Sequence, residues 1–280
     1  KITPRTKAII AVDYAGQPCE YDRLHDIADR NALTLVADGC HALGAEYKGK
    51  KVGSLADMTV FSFHPVKHIT TGEGGMITTD NHEYAEKLRL FRNHGITRDP
   101  KQFAFSEEIS APSAPSSMLH APCALPFYYE MVDLGYNYRI TDFQCALGIS
   151  QLQKLPEFLE RRREIAARYD EAFADKDTIQ PLSVRPDASH AYHLYVIRLA
   201  DGLDRALIFR ELRDKGIGVN VHYIPVHLHP YYKEKFNTGK GSCPAAKAVY
   251  ERIISLPMFP GMTDEDVEKV IGTVKNIVMK

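Results

Sequence analysis

No sign of charge predominates in this sequence: 35 Lys and Arg against 36 Asp and Glu leave a formal net charge of −1. A general electrostatic pull toward nucleic acid or an anionic membrane is therefore not built in. No apolar run approaches the roughly 20 residues that a membrane-spanning helix needs. The start, Lys1-Ile2-Thr3-Pro4, lacks the apolar core of a signal peptide, and together these absences predict a cytoplasmic protein. Cysteine is scarce: Cys19, Cys40, Cys123, Cys145 and Cys243 are odd in number and contain no Cys-x-x-Cys pair, which excludes a disulfide framework and predicts buried or free thiols. The glycines never fall into G-x-G-x-x-G or G-K-[ST] spacing, so dinucleotide and ATP loops have no support. His64 and His68 are four apart and His222, His227 and His229 cluster, yet no H-E-x-x-H or Cys/His grid accompanies them, which argues against a zinc hydrolase.

What is present is an ordinary globular balance, 44% apolar and 25% charged, in a chain long enough for a large core shared between two domains. Short apolar runs alternate with helix-like stretches in the first half, the pattern of an α/β fold with a largely parallel sheet. Strands are expected at Thr6 to Val12, Leu33 to Ala37, Met58 to Phe63 and Gly75 to Thr79, with helices at Tyr21 to Asn31 and from Asn81, as a cap, to Arg92. Between Lys101 and Pro126 periodicity is lost in a Ser/Ala/Pro-rich stretch that reads as a loop or insertion. A helix starts at Thr141-Asp142, Pro156 is expected to interrupt it, and a second helix runs from Glu157 to Phe173. A strand at Tyr192 to Leu199, a helix near Arg205 to Lys215, a strand at Val219 to His222 and a helix from Asp264 suit a smaller α/β domain. The expected division is residues 1–155 and 156–280.

Asp38 ends one expected strand and Lys67 follows another, the places where open α/β sheets bind ligands. Catalysis with pyridoxal phosphate requires such a pair, a lysine to form a Schiff base and an acid to keep the pyridine nitrogen protonated. Taken alone, the pair is better read as a helix cap and a solvated surface charge.

The wording around the pair goes further. The blocks Ala37-Asp38-Gly39-Cys40-His41-Ala42-Leu43-Gly44-Ala45 and Phe61-Ser62-Phe63-His64-Pro65-Val66-Lys67-His68, followed in order by Gly135-Tyr136-Asn137-Tyr138-Arg139, Val221-His222-Tyr223-Ile224-Pro225-Val226-His227 and Leu256-Pro257-Met258-Phe259-Pro260-Gly261, resemble the DegT/StrS nucleotide-sugar aminotransferases. The lysine stretch and the Asn137 block are most similar to the transaminases of pseudaminic acid biosynthesis.

The resemblance implies a pyridoxal-phosphate-dependent transferase of fold type I, a mostly parallel cofactor domain followed by a smaller α/β domain. It implies transfer of an amino group, from glutamate by family habit, to C4 of a UDP-linked 4-keto-6-deoxy N-acetylhexosamine. Lys67 would carry the cofactor and move the proton, Asp38 pair with the pyridinium nitrogen, His41 contact the 3′ oxygen and Ser62 donate to the phosphate. Asn137 would reach the phosphate of the neighbouring subunit in a homodimer with shared sites, and Arg139 would help there. His222, Tyr223 and His227 would lie on the sugar-nucleotide side, though packing roles suit those three better, and an amphipathic packing strip is open to Tyr136, Tyr138 and Arg139 too. The family's chains carry a segment before this point, with a phosphate-cradling loop, so a sheet truncated at its start is expected. Sugar dehydratases are the nearest alternative, but they carry histidine at the lysine position; a non-catalytic relative would not need both Asp38 and Lys67.

Overall fold

The apolar run at Thr6 to Val12 forms a strand over its last five residues, β1 (Ala8–Val12), and helix α1 (Tyr21–Arg30) connects it to β2 (Thr34–Asp38). The computed structural model describes residues 1–103, 127–174, 177–239 and 241–278; Cys123 and the Ser/Ala/Pro stretch at 110–126 lie outside the described residues. Leu35 and Ala37 are fully buried in β2, and α1 buries Tyr21 and Ala28. A short hairpin, β3 (Glu46–Tyr47) and β4 (Lys50–Lys51), precedes β5 (Met58–Ser62) and β6 (Gly75–Thr78). The sheet order is β1-β2-β5-β6, with β1, β2 and β5 parallel and β6 antiparallel at the edge. Three parallel strands bring their carboxyl ends to one side, where Asp38 and Ser62 close β2 and β5.

Helix α2 (His82–Arg92) is capped as the sequence predicts: the Asn81 side chain accepts from the Tyr84 amide at 3.1 Å. After it, β7 (Ile96–Thr97) pairs with β8 (Glu130–Met131). Thr141 and Gln144 form a capping box at the start of α3 (Asp142–Ala172). The expected break at Pro156 does not occur; α3 runs 31 residues straight through it. Pro156 is exposed, while Leu155 and Leu159 on either side of it are buried. Gly44, at φ +83°, leaves space for Leu159, whose Cδ1 would lie 2.4 Å from any Cβ there. Burial on both sides of the proline offsets the one hydrogen bond that it removes.

Beyond Arg162 the same helix enters a second cluster through Ile165, Ala166 and Tyr169, joined by Phe173 just past its end. There β9 (Ile179–Pro181), β11 (Tyr195–Leu199) and β12 (Ile253–Leu256) form an antiparallel sheet in the order β12-β11-β9, whereas β10 (Ala188–Ser189) joins β3. Helices α4 (Arg205–Asp214), α5 (Pro230–Phe236), α6 (Pro244–Tyr250) and α7 (Asp264–Val278) complete this half; α7 buries Val267, Val270, Ile271 and Val274. The strand expected from Tyr192 starts at Tyr195, because Tyr192 has φ 47° and its amide is taken by His190 Nδ1 at 2.8 Å. The strand expected at Val219 to His222 reduces to a single bridge between Asn220 and Ser255, the Asn220 side chain having claimed the Val221 amide. Among the described residues no helix is long and apolar enough to cross a membrane.

Candidate active site

Backbone turns set the site. After β2, the Ala42 amide bonds to the Gly39 carbonyl and folds His41 inward until it is buried. After β5 the chain returns on itself: the Phe63 amide bonds to the Gly74 carbonyl, and Thr71 amide and Thr70 hydroxyl both donate to the Phe63 carbonyl. Lys67 lies within this closed loop, its amide bonded to the His64 carbonyl, and is half-buried. From the other half of the chain come His222 and Tyr223. The Tyr223 hydroxyl lies 3.3 Å from His41 Nε2, His222 Nδ1 is 2.8 Å from the Ser255 hydroxyl, and the Tyr14 hydroxyl donates to the His222 carbonyl.

The electrostatics tie these groups together. Burial, with the Lys67 charge adding to it and Asp38 opposing, pushes His41 down to about 4. Burial also holds Lys67 below the ordinary lysine range against the opposing pull of Cys40 and Asp38. His222 is lowered by burial and by Lys67, and Tyr223 is raised by burial and then by Asp38 and Cys40. Cys40 is pushed up to about 12, first by burial and then by its contact with Asp38, so it is an uncharged thiol here. Asp38, His41, Lys67, His222 and Tyr223, all predicted as site residues, therefore form one interacting group.

The valences left open in this group suit pyridoxal phosphate. One Asp38 oxygen accepts the Cys40 amide at 3.1 Å and the Cys40 thiol also bonds to the side chain, which leaves the carboxylate further lone pairs to offer. The Lys67 amine has no hydrogen-bond or ion-pair partner among them, and the Ser62 oxygen accepts from the His64 amide, leaving its hydroxyl hydrogen to give. A carboxylate, an amine and a hydroxyl donor are what a pyridine nitrogen, an aldehyde and a phosphate require.

Other predicted residues lie elsewhere. Asn137 bridges to Asn93, whose side chain accepts from Arg139 at 2.7 Å, and the Tyr136 and Tyr138 amides bond to the Phe91 and Arg92 carbonyls at the end of α2. Asn137 and Arg139 are exposed, and no hydrogen bond among the described residues joins them to Asp38, His41 or Lys67. His227 is buried in a short turn, with its carbonyl accepting from Thr238, and likewise has no described contact with that group. Two residues that were not expected at the site stand behind it, His68, weighed only as a metal ligand, and His193: the His193 ring centre is 4.3 Å from that of His41 and 5.3 Å from that of His68. The one signal available was a pair of histidines, His190 and His193, at the head of a strongly apolar run.

The profile of the DegT/DnrJ/EryC1/StrS aminotransferase family matches residues 1–275. Protein MJ1066 of Methanocaldococcus jannaschii is 46% identical over 99% of this chain and 68% of its own length. Helicobacter pylori PseC, an aminotransferase involved in the biosynthesis of pseudoaminic acid, superposes with a TM-score of 0.87 at 34% identity, covering 99% of this chain and 68% of PseC. The PLP form of Spr1654 from Streptococcus pneumoniae gives a TM-score of 0.84 at 33% identity, covering 99% and 69%. The chain thus belongs to the DegT/DnrJ/EryC1/StrS family, as a sugar aminotransferase of fold type I that depends on pyridoxal phosphate.

Proposed function

We propose that this aminotransferase moves an amino group from an amino acid, glutamate by family resemblance, to C4 of a UDP-linked 4-keto-6-deoxy N-acetylhexosamine, as pseudaminic acid synthesis requires. The observation that carries the reading is the convergence of Asp38, His41 and Lys67, at the ends of parallel strands, with His222 and Tyr223 from the second core. The similarity to PseC supports the choice of sugar.

When bound, pyridoxal phosphate supplies an aldehyde and an electron-accepting ring. Lys67 Nζ would hold the aldehyde and, once free, take and return the proton at the reacting carbon. Its lowered pKa suits that task, because a larger fraction of the amine is unprotonated at neutral pH than for a free lysine. Asp38 would keep the ring nitrogen protonated, Ser62 would donate to the phosphate, and an uncharged His41 would face the 3′ oxygen. His222 and Tyr223 would orient the sugar nucleotide, with His227 assigned to the same side and Arg139 to the phosphate beside Asn137.

Asn137 would complete the phosphate site of a second copy. Support for a homodimer comes from the apolar side chains displayed around it: Leu134 and Tyr138 are 71% exposed and Phe143 is 81% exposed. The proposed division is a cofactor domain, residues 1–155, and a smaller domain, residues 156–280, working in the cytoplasm; the presence of two hydrophobic clusters supports two units, although Leu159 and Ala191 pack with the first cluster.

Borohydride reduction of the full-length, cofactor-loaded protein tests the assignment. Peptide mass mapping should find the reduced adduct on Lys67, and an adduct on another lysine, or none, refutes it. A panel of keto-sugar nucleotides tests the substrate; turnover restricted to sugars without UDP overturns that part.

A further inference from the structure

Three imidazoles from distant points of the sequence form a column behind the site. His41 follows β2, His68 follows Lys67, and His193 precedes β11; all are at most 7% exposed. The rings pack in the order His41, His193, His68. In each of them Nδ1 is buried without a hydrogen-bond partner among the described residues. His68 lies with Nε2 2.9 Å from the Ala191 carbonyl, an acceptor, so that nitrogen carries the hydrogen and its Nδ1 offers only a lone pair. Protonating any of the three rings places an unanswered N–H in the interior.

The charged and titratable groups around the column oppose a positive ring too. Lys67, Asp38 and His222 act on His41, with the Tyr14 ring and the Tyr223 hydroxyl beside it. Lys67 and Arg162 act on both His68 and His193. Arg162 itself donates to the His193 carbonyl at 3.4 Å and to those of Tyr192 and Met258 at 2.9 and 3.0 Å. Among the charged groups only Asp38 favours a cation, at His41 alone, and at His68 the Ala191 carbonyl opposes the other effects without overcoming burial.

We propose that His193, braced by His68, is a positioning residue that holds the His41 ring in place and uncharged beside Lys67 and Asp38. The inference rests on the reading of that pair as the catalytic centre. A positive His41 would compete for the Asp38 carboxylate and would repel the Lys67 ammonium, so the ring must stay neutral for the pair to keep its roles. His193 achieves this by contact: its ring covers the His41 ring and excludes water, and His68, anchored on the Ala191 carbonyl, closes the far side. Burial pushes His68 down to about 3 and lowers His193 as well, so the brace remains neutral where His41 does.

The test is ring-nitrogen NMR of the full-length protein labelled with [15N]histidine, with and without cofactor, read alongside the pH dependence of the half-reaction with an amino donor. In the wild type the His41 ring should remain neutral down to about pH 5. His193→Ala should raise the His41 titration by about one pH unit or more and shift the acid limb of the half-reaction by the same amount, whereas His193→Phe, which keeps an aromatic ring over His41, should track the wild type. In a His41→Asn background, His193→Ala should leave the pH profile where it is. A wild-type His41 titrating near 6.5 overturns the proposal without any variant. So does a His193→Ala enzyme slowed equally at every pH with the His41 titration unmoved. Borohydride labelling away from Lys67 would strike the catalytic reading instead and leave the titration result intact.

Discussion

Acid should unfold this protein unusually early, and the reason lies in its buried histidines. In the folded chain burial lowers His41 and His190 to about 4 and His68 to about 3, and lowers His193 as well, from an ordinary 6.5. An unfolded histidine takes a proton below 6.5 and these four do not, so the stability from their neutral burial is complete above that pH and is lost as pH falls toward about 4. One pKa unit is worth about 1.4 kcal/mol, so each ring removes about 2 kcal/mol at pH 5 and the four together about 8 kcal/mol. Asp13 works the other way. It is fully buried, accepts from the Tyr21 hydroxyl and the Cys19 amide, and burial raises it to about 6. Below that pH it is protonated in the fold and still ionised when unfolded, which returns about 1.4 kcal/mol at pH 5. The net loss, about 7 kcal/mol, is comparable to the whole stability of an ordinary domain. Urea unfolding followed by far-UV circular dichroism at pH 7.5 and pH 5 should show the midpoint falling by about 2 M or more, with little change above pH 6.5 and a slope near 4 kcal/mol per pH unit below it. Equal midpoints at the two pH values would refute the reasoning.

Two further outcomes are expected. Gly16→Ala should destabilise the chain by about 3–5 kcal/mol at an unchanged urea m-value, because Gly16 has φ +111° and an added Cβ would lie 2.8 Å from the Tyr192 amide nitrogen and 2.9 Å from the His41 carbonyl oxygen; a loss under 1 kcal/mol would contradict it. Mixing inactive Lys67→Ala and Asn137→Ala subunits should restore about a quarter of wild-type activity if each site draws on two copies, since half the dimers are mixed and each mixed dimer has one intact site. No recovery would sink the shared-site proposal.

The cofactor half was largely legible because its strands are short apolar runs with clear ends, and because Asn81 and Thr141 are caps whose chemistry is local. What escaped was decided by partners far along the chain. Pro156 carries a helix-breaking signal, yet Leu155 and Leu159 pack into a core that includes Leu35, Ala42 and Ala45, more than a hundred positions earlier. Val219 to His222 has the composition of a strand, but the Asn220 side chain competes for the backbone and ends the pairing. That Asp38, His41 and Lys67 lie together could be expected from motifs, because each ends or follows a strand of the parallel sheet. His68 and His193 could not be paired from sequence, since 125 positions separate them and only the fold brings the rings together.

Helix α3 is rooted in both hydrophobic clusters, and the reacting groups are divided between the same two halves, Lys67 and His41 on one side, His222 and Tyr223 on the other. No slack loop absorbs a rocking of one half on the other at this crossing; the rod itself must flex. Its weakest rung is at Pro156, where the carbonyl of Leu152 has no amide four residues on to receive it. Bending there would move His222 and Tyr223 relative to His41 and Lys67, so an exposed residue far from these side chains is mechanically coupled to their spacing.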